Sequence, residues 1–230
     1  MQAWELALKV YLKKDIPMEE SQVEISKIVD SCLTKDIDFM NFHNNNQYKN
    51  YTFSSFFPIE KNKVYLACSI YTVTLRSVDE KLVKHFEKYL GDENSTTIKA
   101  LTLQIKKIPK KYIARIYSIT SVVAKFENGY WRENESVEIY EKRLKTNLIK
   151  KYNSYTKRDI DENFDLFTYM KFDNLLPIAT KYKNIKMLGD KITLNVAVNN
   201  LAQDLAYFSL GAGLLEMNAR GYGYVNYKWL

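Results

Sequence analysis

Histidine and glycine are the scarce residues of this 230-residue chain, which holds two histidines, His43 and His85, and seven glycines. So few histidines make a His-rich metal site hard to build. The sequence also shows no HExxH, no Cys cluster and no convincing pair of carboxylates that would favour a metal. Cys32 and Cys68 are the only cysteines and form no C-x-x-C pair, which excludes a disulfide scaffold. Long apolar runs are absent too. The most apolar stretch, Leu205 to Leu215, is too short and too glycine-broken to span a bilayer. The N-terminus alternates polar and apolar residues instead of offering the continuous apolar core of a signal peptide. The expectation is a soluble cytoplasmic protein with reduced thiols, no membrane partner and no cofactor.

What is present is ordinary globular hydrophobicity, 46%, and a net charge of +7 that is unevenly placed. Acids outnumber bases from Met1 to Asp38. Two blocks carry cations and no acid: Lys99 to Arg115 with six, and Lys142 to Arg158 with seven, among them Arg143, Lys150 and Lys151. Tyr112, Tyr152 and Tyr155 are interleaved with them. Cations that displace counterions, next to rings that can stack on unpaired bases, suit a phosphate-backbone partner. A solvated basic surface is the alternative. The block at 142–158, with Arg220, is the preferred candidate track.

Periodicity predicts an α+β chain. Trp4, Leu6, Leu8 and Val10 alternate with polar residues as a strand, and Pro17 with Glu19 and Glu20 opens a helix over Val23 to Leu33. Asp36 to Asn50 reads as a polar, Asn-rich loop. Strands are expected at 63–76 (one long or a pair), 98–108, 116–126, 164–172, 185–188, 192–198 and 222–229. Helices are expected at 78–90, 136–152 and 200–210. Each half then runs roughly β-α-β-β-α-β, the ferredoxin-like (RRM-like) order, which predicts two tandem domains, 1–115 and 116–230.

Four of the seven glycines, Gly211, Gly213, Gly221 and Gly223, fall in the segment GAGLLEMNARGYGYV, Gly211 to Val225, between the last expected helix and strand. A loop so rich in glycine, with Arg220, suggests a phosphate site, because backbone N–H groups without side chains can approach an anion closely. A pair of tight turns with no ligand is the competing explanation. Rossmann and P-loop fingerprints do not fit, since the segment follows a helix and lacks G-K-[ST].

That segment, ending a basic tandem ferredoxin-like chain, closely resembles the glycine-rich loop of the CRISPR-associated endoribonuclease family that processes precursor crRNA. An aromatic sits between its last two glycines, here Tyr222. FHNNNQYKNYTFSSFF (Phe42 to Phe57), NLIKKY (Asn147 to Tyr152) and the KITLNVAV strand match the family in order. The resemblance implies His43 as general acid/base and Lys49 as the cation stabilising the transition state. The family's third member is often a tyrosine in the first helix. This chain has Ile28 and Val29 there, which leaves Tyr48 and Tyr51 as candidate substitutes.

The chemistry is coherent. RNA carries its own nucleophile, the 2′-hydroxyl, so a catalyst need only align it, move protons and neutralise the phosphorane. An imidazole titrates near neutral pH and an ammonium is a compact charge for an oxyanion. The resemblance implies metal-independent cleavage within repeat RNA to 2′,3′-cyclic phosphate and 5′-hydroxyl ends. Its partners would be repeat RNA and a CRISPR effector complex, with the protein a monomer or homodimer. The alternative is a non-catalytic repeat-RNA-binding subunit of the same superfamily. His85, mid-helix in EKLVKHFEKYL, reads as a bystander. A general tandem RNA-recognition module fits less well, since no RNP1-like octamer is present.

Overall fold

The computed structural model describes residues 1–182 and 185–230. The first unit runs β1 (Trp4–Leu12), β2 (Ile16–Pro17), α1 (Ser21–Leu33), α2 (Ile37–Asn44), β3 (Tyr51–Phe53), β4 (Val64–Tyr65), β5 (Ile70–Ser77), α3 (Glu80–Tyr89) and β6 (Ile98–Lys107). The second runs β7 (Ile113–Ser118), α4 (Trp131–Asn134), α5 (Val137–Thr156), β8 (Phe167–Phe172), β9 (Ile178–Tyr182), β10 (Ile185–Gly189), β11 (Ile192–Val196), α6 (Asn200–Ala212) and β12 (Val225–Trp229).

Each unit has one antiparallel four-stranded sheet, in the orders β3-β5-β1-β6 and β12-β7-β11-β8. With the short extra strands set aside, both have the first and third strands in the centre and the second and fourth at the edges, which is the ferredoxin-like arrangement. Register follows from burial. Leu6 faces Leu75 and Leu8 faces Val73 across β1 and β5, so the apolar half of each strand turns to one side. There they meet Ile25, Ile28 and Val29 of α1 and Leu82 and Phe86 of α3 in the first core. Ile116 and Leu194 meet Leu144 and Leu148 of α5 and Leu205 and Phe208 of α6 in the second.

Polar ties join the units. The buried Arg76 guanidinium donates to Glu5 at 2.8 Å, to the Val225 carbonyl and to Asn226, and lies 4.7 Å from the Tyr224 ring centroid. The Tyr207 hydroxyl accepts from the Ala3 N–H and donates to the Ile108 carbonyl. Among the described residues no helix is long and apolar enough to cross a membrane.

Several elements differ from the sequence expectation. Residues 36–50 are not all loop: Asp36 caps α2, accepting from the Asp38 N–H at 2.9 Å and the Phe39 N–H at 3.4 Å. Only Phe39 and Phe42 of α2 lean on the core, too brief a stripe to show as periodicity. The stretch 63–76 takes the two-strand form of its expectation, breaking after Tyr65 and passing through Cys68 at φ 60° before β5 begins. The expected strand at 116–126 starts earlier and ends at Ser118, after which Val122 and Val123 make only isolated bridges. The strands beside Gly189 do not pair with each other, because β10 pairs with β9 and β11 sits between β7 and β8.

A cleft between the two units

The site grows from the end of α2. His43 lies in its last turn, and the chain then doubles back so that the Lys49 Nζ donates to the carbonyls of Phe42, His43 (3.1 Å) and Asn45 (2.7 Å). These are the carbonyls a helix C-terminus leaves unpaired, so Lys49 caps the turn that carries the histidine. Burial and the positive charge of Arg220 both hold the Lys49 pKa below the usual lysine value. His43 Nδ1 stands 3.5 Å from Oδ1 of Asp30, in the last turn of α1. The other oxygen, Oδ2, accepts from Arg220 Nη1. Burial works against the Arg220 charge, but the hydrogen bond and charge of Asp30 outweigh it and raise its pKa further.

Arg220 is delivered by the glycine-rich segment. Gly213, Leu215, Met217, Gly221 and Gly223 all have positive φ. The chain turns so tightly that a Cβ on Gly221 would strike the Phe53 ring, and one on Gly223 the Leu214 carbonyl. Lys151 pins this loop from α5. Its Nζ is buried and donates to the carbonyls of Gly213 (3.1 Å) and Leu215 (2.5 Å) and to Asn218 Oδ1 (2.5 Å). Burial pulls its pKa down to about 7, although the nearby Glu216 pulls the other way. The Asn218 amide donates to the carbonyls of Leu214 and Tyr222, each at 2.9 Å.

The glycine N–H groups themselves are not free for an anion. The N–H groups of Gly213, Gly221 and Gly223 already donate to Ser209, Asn218 and Ser121 carbonyls. Gly211 is not in the loop at all but in α6, where a Cβ would meet the Ser77 and Val78 backbone at 2.7 Å. Tyr222 is buried, and its hydroxyl accepts from Thr180 of β9 at 2.8 Å. The glycines shape the wall, and residues 215–220 between them line the cleft.

His43, Tyr48, Lys49, Lys125, Asn147 and Arg220 line a cleft of about 330 Å³. A second trough of about 470 Å³, sharing Tyr48, Asn147 and Glu216, continues it along α5 past Lys142, Arg143 and Lys150. Arg143 is tied to Glu216 at 2.7 Å and lies over the Phe126 ring. Tyr51 does not reach the cleft: it is 1% exposed, edge-on to Phe86, and burial pushes its phenol well up. Lys151 is also buried but does line the cleft, with its ammonium spent on tethering the loop. None of the cations from Lys99 to Arg115 lines either hollow, and Lys106 and Lys110 are paired with Glu5 and Asp204. His85 is buried, its Nε2 2.8 Å from the Cys32 carbonyl and its ring 4.3 Å from that of Phe39.

Asp30 and Lys125 were missed by sequence reasoning. Asp30 had one signal, an acid set among Ile28, Val29, Cys32 and Leu33 on an otherwise apolar helix end. Lys125 had none, since the bonds that place it, from the Glu216 N–H to the Val123 carbonyl and from the Lys125 N–H to the Glu216 carboxylate, join residues far apart in sequence. Among the described residues no group of three or more His, Cys, Asp or Glu is placed to hold a metal ion.

No family model matches the sequence, and no curated protein matches it. Solved structures do. One described as an RAMP protein binding different RNA substrates superposes with TM-score 0.74 at 15% identity, over 98% of this chain and 99% of that one. A CRISPR-associated protein Cas6 gives 0.70 at 19% identity over 98% and 99%. A Cas6-related protein from Pyrococcus furiosus gives 0.68 at 16% identity over 98% of each. At these identities the likeness is one of fold. The tandem ferredoxin-like architecture of this chain is that of Cas6 and RAMP proteins over nearly its whole length.

Proposed function

We propose that this protein is a CRISPR-associated, metal-independent endoribonuclease that cuts precursor crRNA within its repeats. The observation that carries the reading is His43 at the mouth of a cleft whose other walls supply Lys49, Lys125 and Arg220. The first unit, which ends with β6, would provide the imidazole, and the second, which begins with β7, the arginine loop and the α5 track. RNA entering along Lys142 and Lys150 would bring a scissile phosphate among these cations. His43 would exchange protons with the 2′-hydroxyl and the leaving 5′-oxygen, and the cations would stabilise the phosphorane. Tyr48, 38% exposed where the two hollows meet, is placed to stack on a base rather than to move a proton. The fold shared with Cas6 and RAMP structures supports repeat RNA as the substrate class. Incubation with repeat RNA in EDTA should give 2′,3′-cyclic phosphate and 5′-hydroxyl ends. Cleavage that requires Mg²⁺, or that survives a 2′-deoxy substitution before the cut, would overturn the mechanism.

A second reading has its own support. Lys49 places all its donors on backbone carbonyls, Tyr51 is buried, and α1 contains no tyrosine. A repeat-RNA-binding subunit without chemistry would look the same. In that case His43→Ala would leave RNA binding and every other property as they were, and the wild-type protein would not cleave.

A further inference from the structure

We infer that Asp30 is a positioning residue for His43, and that the glycine-rich loop acts on the histidine through Arg220 and this carboxylate. The inference rests on the endoribonuclease reading for its catalytic consequence, but not for its geometry. Asp30 Oδ1 is shut off from solvent and makes no hydrogen bond. An orphaned carboxylate oxygen bears its desolvation cost without the hydrogen bond that would offset it. The donor in reach is His43 Nδ1, at 3.5 Å. A few tenths of an ångström of side-chain rotation convert this ion-pair distance into an Nδ1–H to Oδ1 hydrogen bond.

Arg220 fixes the carboxylate for that task. It holds Oδ2, so the carboxylate cannot turn its second oxygen away. The charged and titratable groups around Asp30 come from each neighbouring element: His43 from α2, Arg220 from the C-terminal turn and the Tyr51 phenol from β3, with Lys49 felt through Arg220. With the proton on Nδ1, Nε2 keeps the ring's free lone pair, on a histidine that lines the cleft. An acceptor that fixes a histidine tautomer is the general device for readying the opposite nitrogen as a base. The loop therefore influences catalysis through the histidine as well as through the charge that Arg220 brings to the cleft. Gly221 sets the turn, the turn aims Arg220, Arg220 holds Asp30, and Asp30 holds the ring.

The test compares wild type with Asp30→Ala and Asp30→Asn, using long-range ¹H–¹⁵N correlation of the neutral His43 ring and single-turnover cleavage of repeat RNA. Wild type should show the Nδ1–H tautomer, and Asp30→Ala should shift His43 toward Nε2–H. The cleavage rate should fall on the order of 100-fold in Asp30→Ala, with RNA affinity changed less than about twofold. Asp30→Asn, which keeps an acceptor but not the charge, should lie between. An Nε2–H tautomer in the wild type, or a tautomer indifferent to Asp30→Ala, would overturn the inference. Because the wild-type spectrum alone can do so, misfolding of a variant does not rescue the idea. If the wild type shows the Nδ1–H tautomer yet cleaves nothing, the enzymatic reading fails and the positioning stands.

Discussion

Residues 36–50 and 211–224 meet at one cleft but are held in opposite ways. The first is a short helix with no buried residue, capped by Asp36 at one end and Lys49 at the other, and it carries His43 on its last turn. The second is mostly buried and passes through five positive-φ residues between 213 and 223. A glycine-rich loop suggests mobility and ligand contact, whereas an exposed helix suggests scaffold. Here the loop is scaffold, and on the proposed reading the exposed helix end presents the chemistry. Segments with few buried contacts open at lower free energy than packed ones, so substitutions in the two should separate activity from stability.

The sharpest separation is expected from His43→Ala. Loss of a general acid/base lowers the rate by about 10²- to 10⁴-fold. The helix end is loosely packed but His43 shields Asp30 Oδ1, so unfolding free energy should fall by no more than about 1 kcal/mol. Single-turnover cleavage beside urea unfolding reads both. A large loss of stability with little loss of rate would reverse the roles assigned to the two segments.

Gly221→Ala should do the opposite. Its φ of 79° disfavours any side chain, and a Cβ would press into the Phe53 ring. Strain plus overpacking should destabilise by about 3 kcal/mol, readable as a lower urea midpoint. Cleavage by the folded fraction should fall too, through misaimed Arg220. A neutral Gly221→Ala would mean that the loop is pliable after all.

Lys151→Met comes next, at about 2 kcal/mol. It leaves three loop acceptors without their donor but also removes a desolvated ammonium, and the two effects partly offset. The pH dependence gives the cleaner signal. With a folded pKa of about 7, below its ordinary value, Lys151 binds a proton in the unfolded chain but not in the folded one across the range between. Unfolding free energy should therefore rise with pH above about 7 by this group's contribution, and Lys151→Met should flatten that slope. An unchanged slope would show that the ammonium keeps its proton inside the loop.

Lys151 also shows how far the sequence could be read. It lies three residues after Leu148 and seven after Leu144, on the buried stripe of α5, so helical spacing already marked it as inward-facing. Charge alone put it with Lys150 as an RNA contact. The sheets and long helices were legible because their apolar periods run for many residues. α2 was not, since two phenylalanines make too short a pattern. The glycine cluster was legible as a special backbone, and its purpose was not. Whether a loop N–H is free depends on partners such as Ser121 and Ser209, and of these only Ser209 is near in sequence. The Asp30–His43–Arg220 cluster joins residues up to 190 positions apart, beyond any local signal.

The smallest effects should come from the trough along α5. Lys142 and Lys150 line it, and among the described residues no hydrogen bond or ion pair holds either ammonium. If single-stranded RNA tracks there, each neutralises about one phosphate. Lys142→Gln or Lys150→Gln should then make the slope of log K against log salt shallower by about 0.7 each, with the cleavage rate at saturating RNA unchanged. Lys107→Gln, in the other basic block and lining neither hollow, serves as the control and should leave the slope as it was. Charge count alone makes the three substitutions equal, since each removes one cation from a chain of net charge +7. Only the position of α5 beside the cleft makes them differ. Equal slopes for all three would therefore point to a diffuse basic surface and remove the α5 track, while leaving the His43 site untouched.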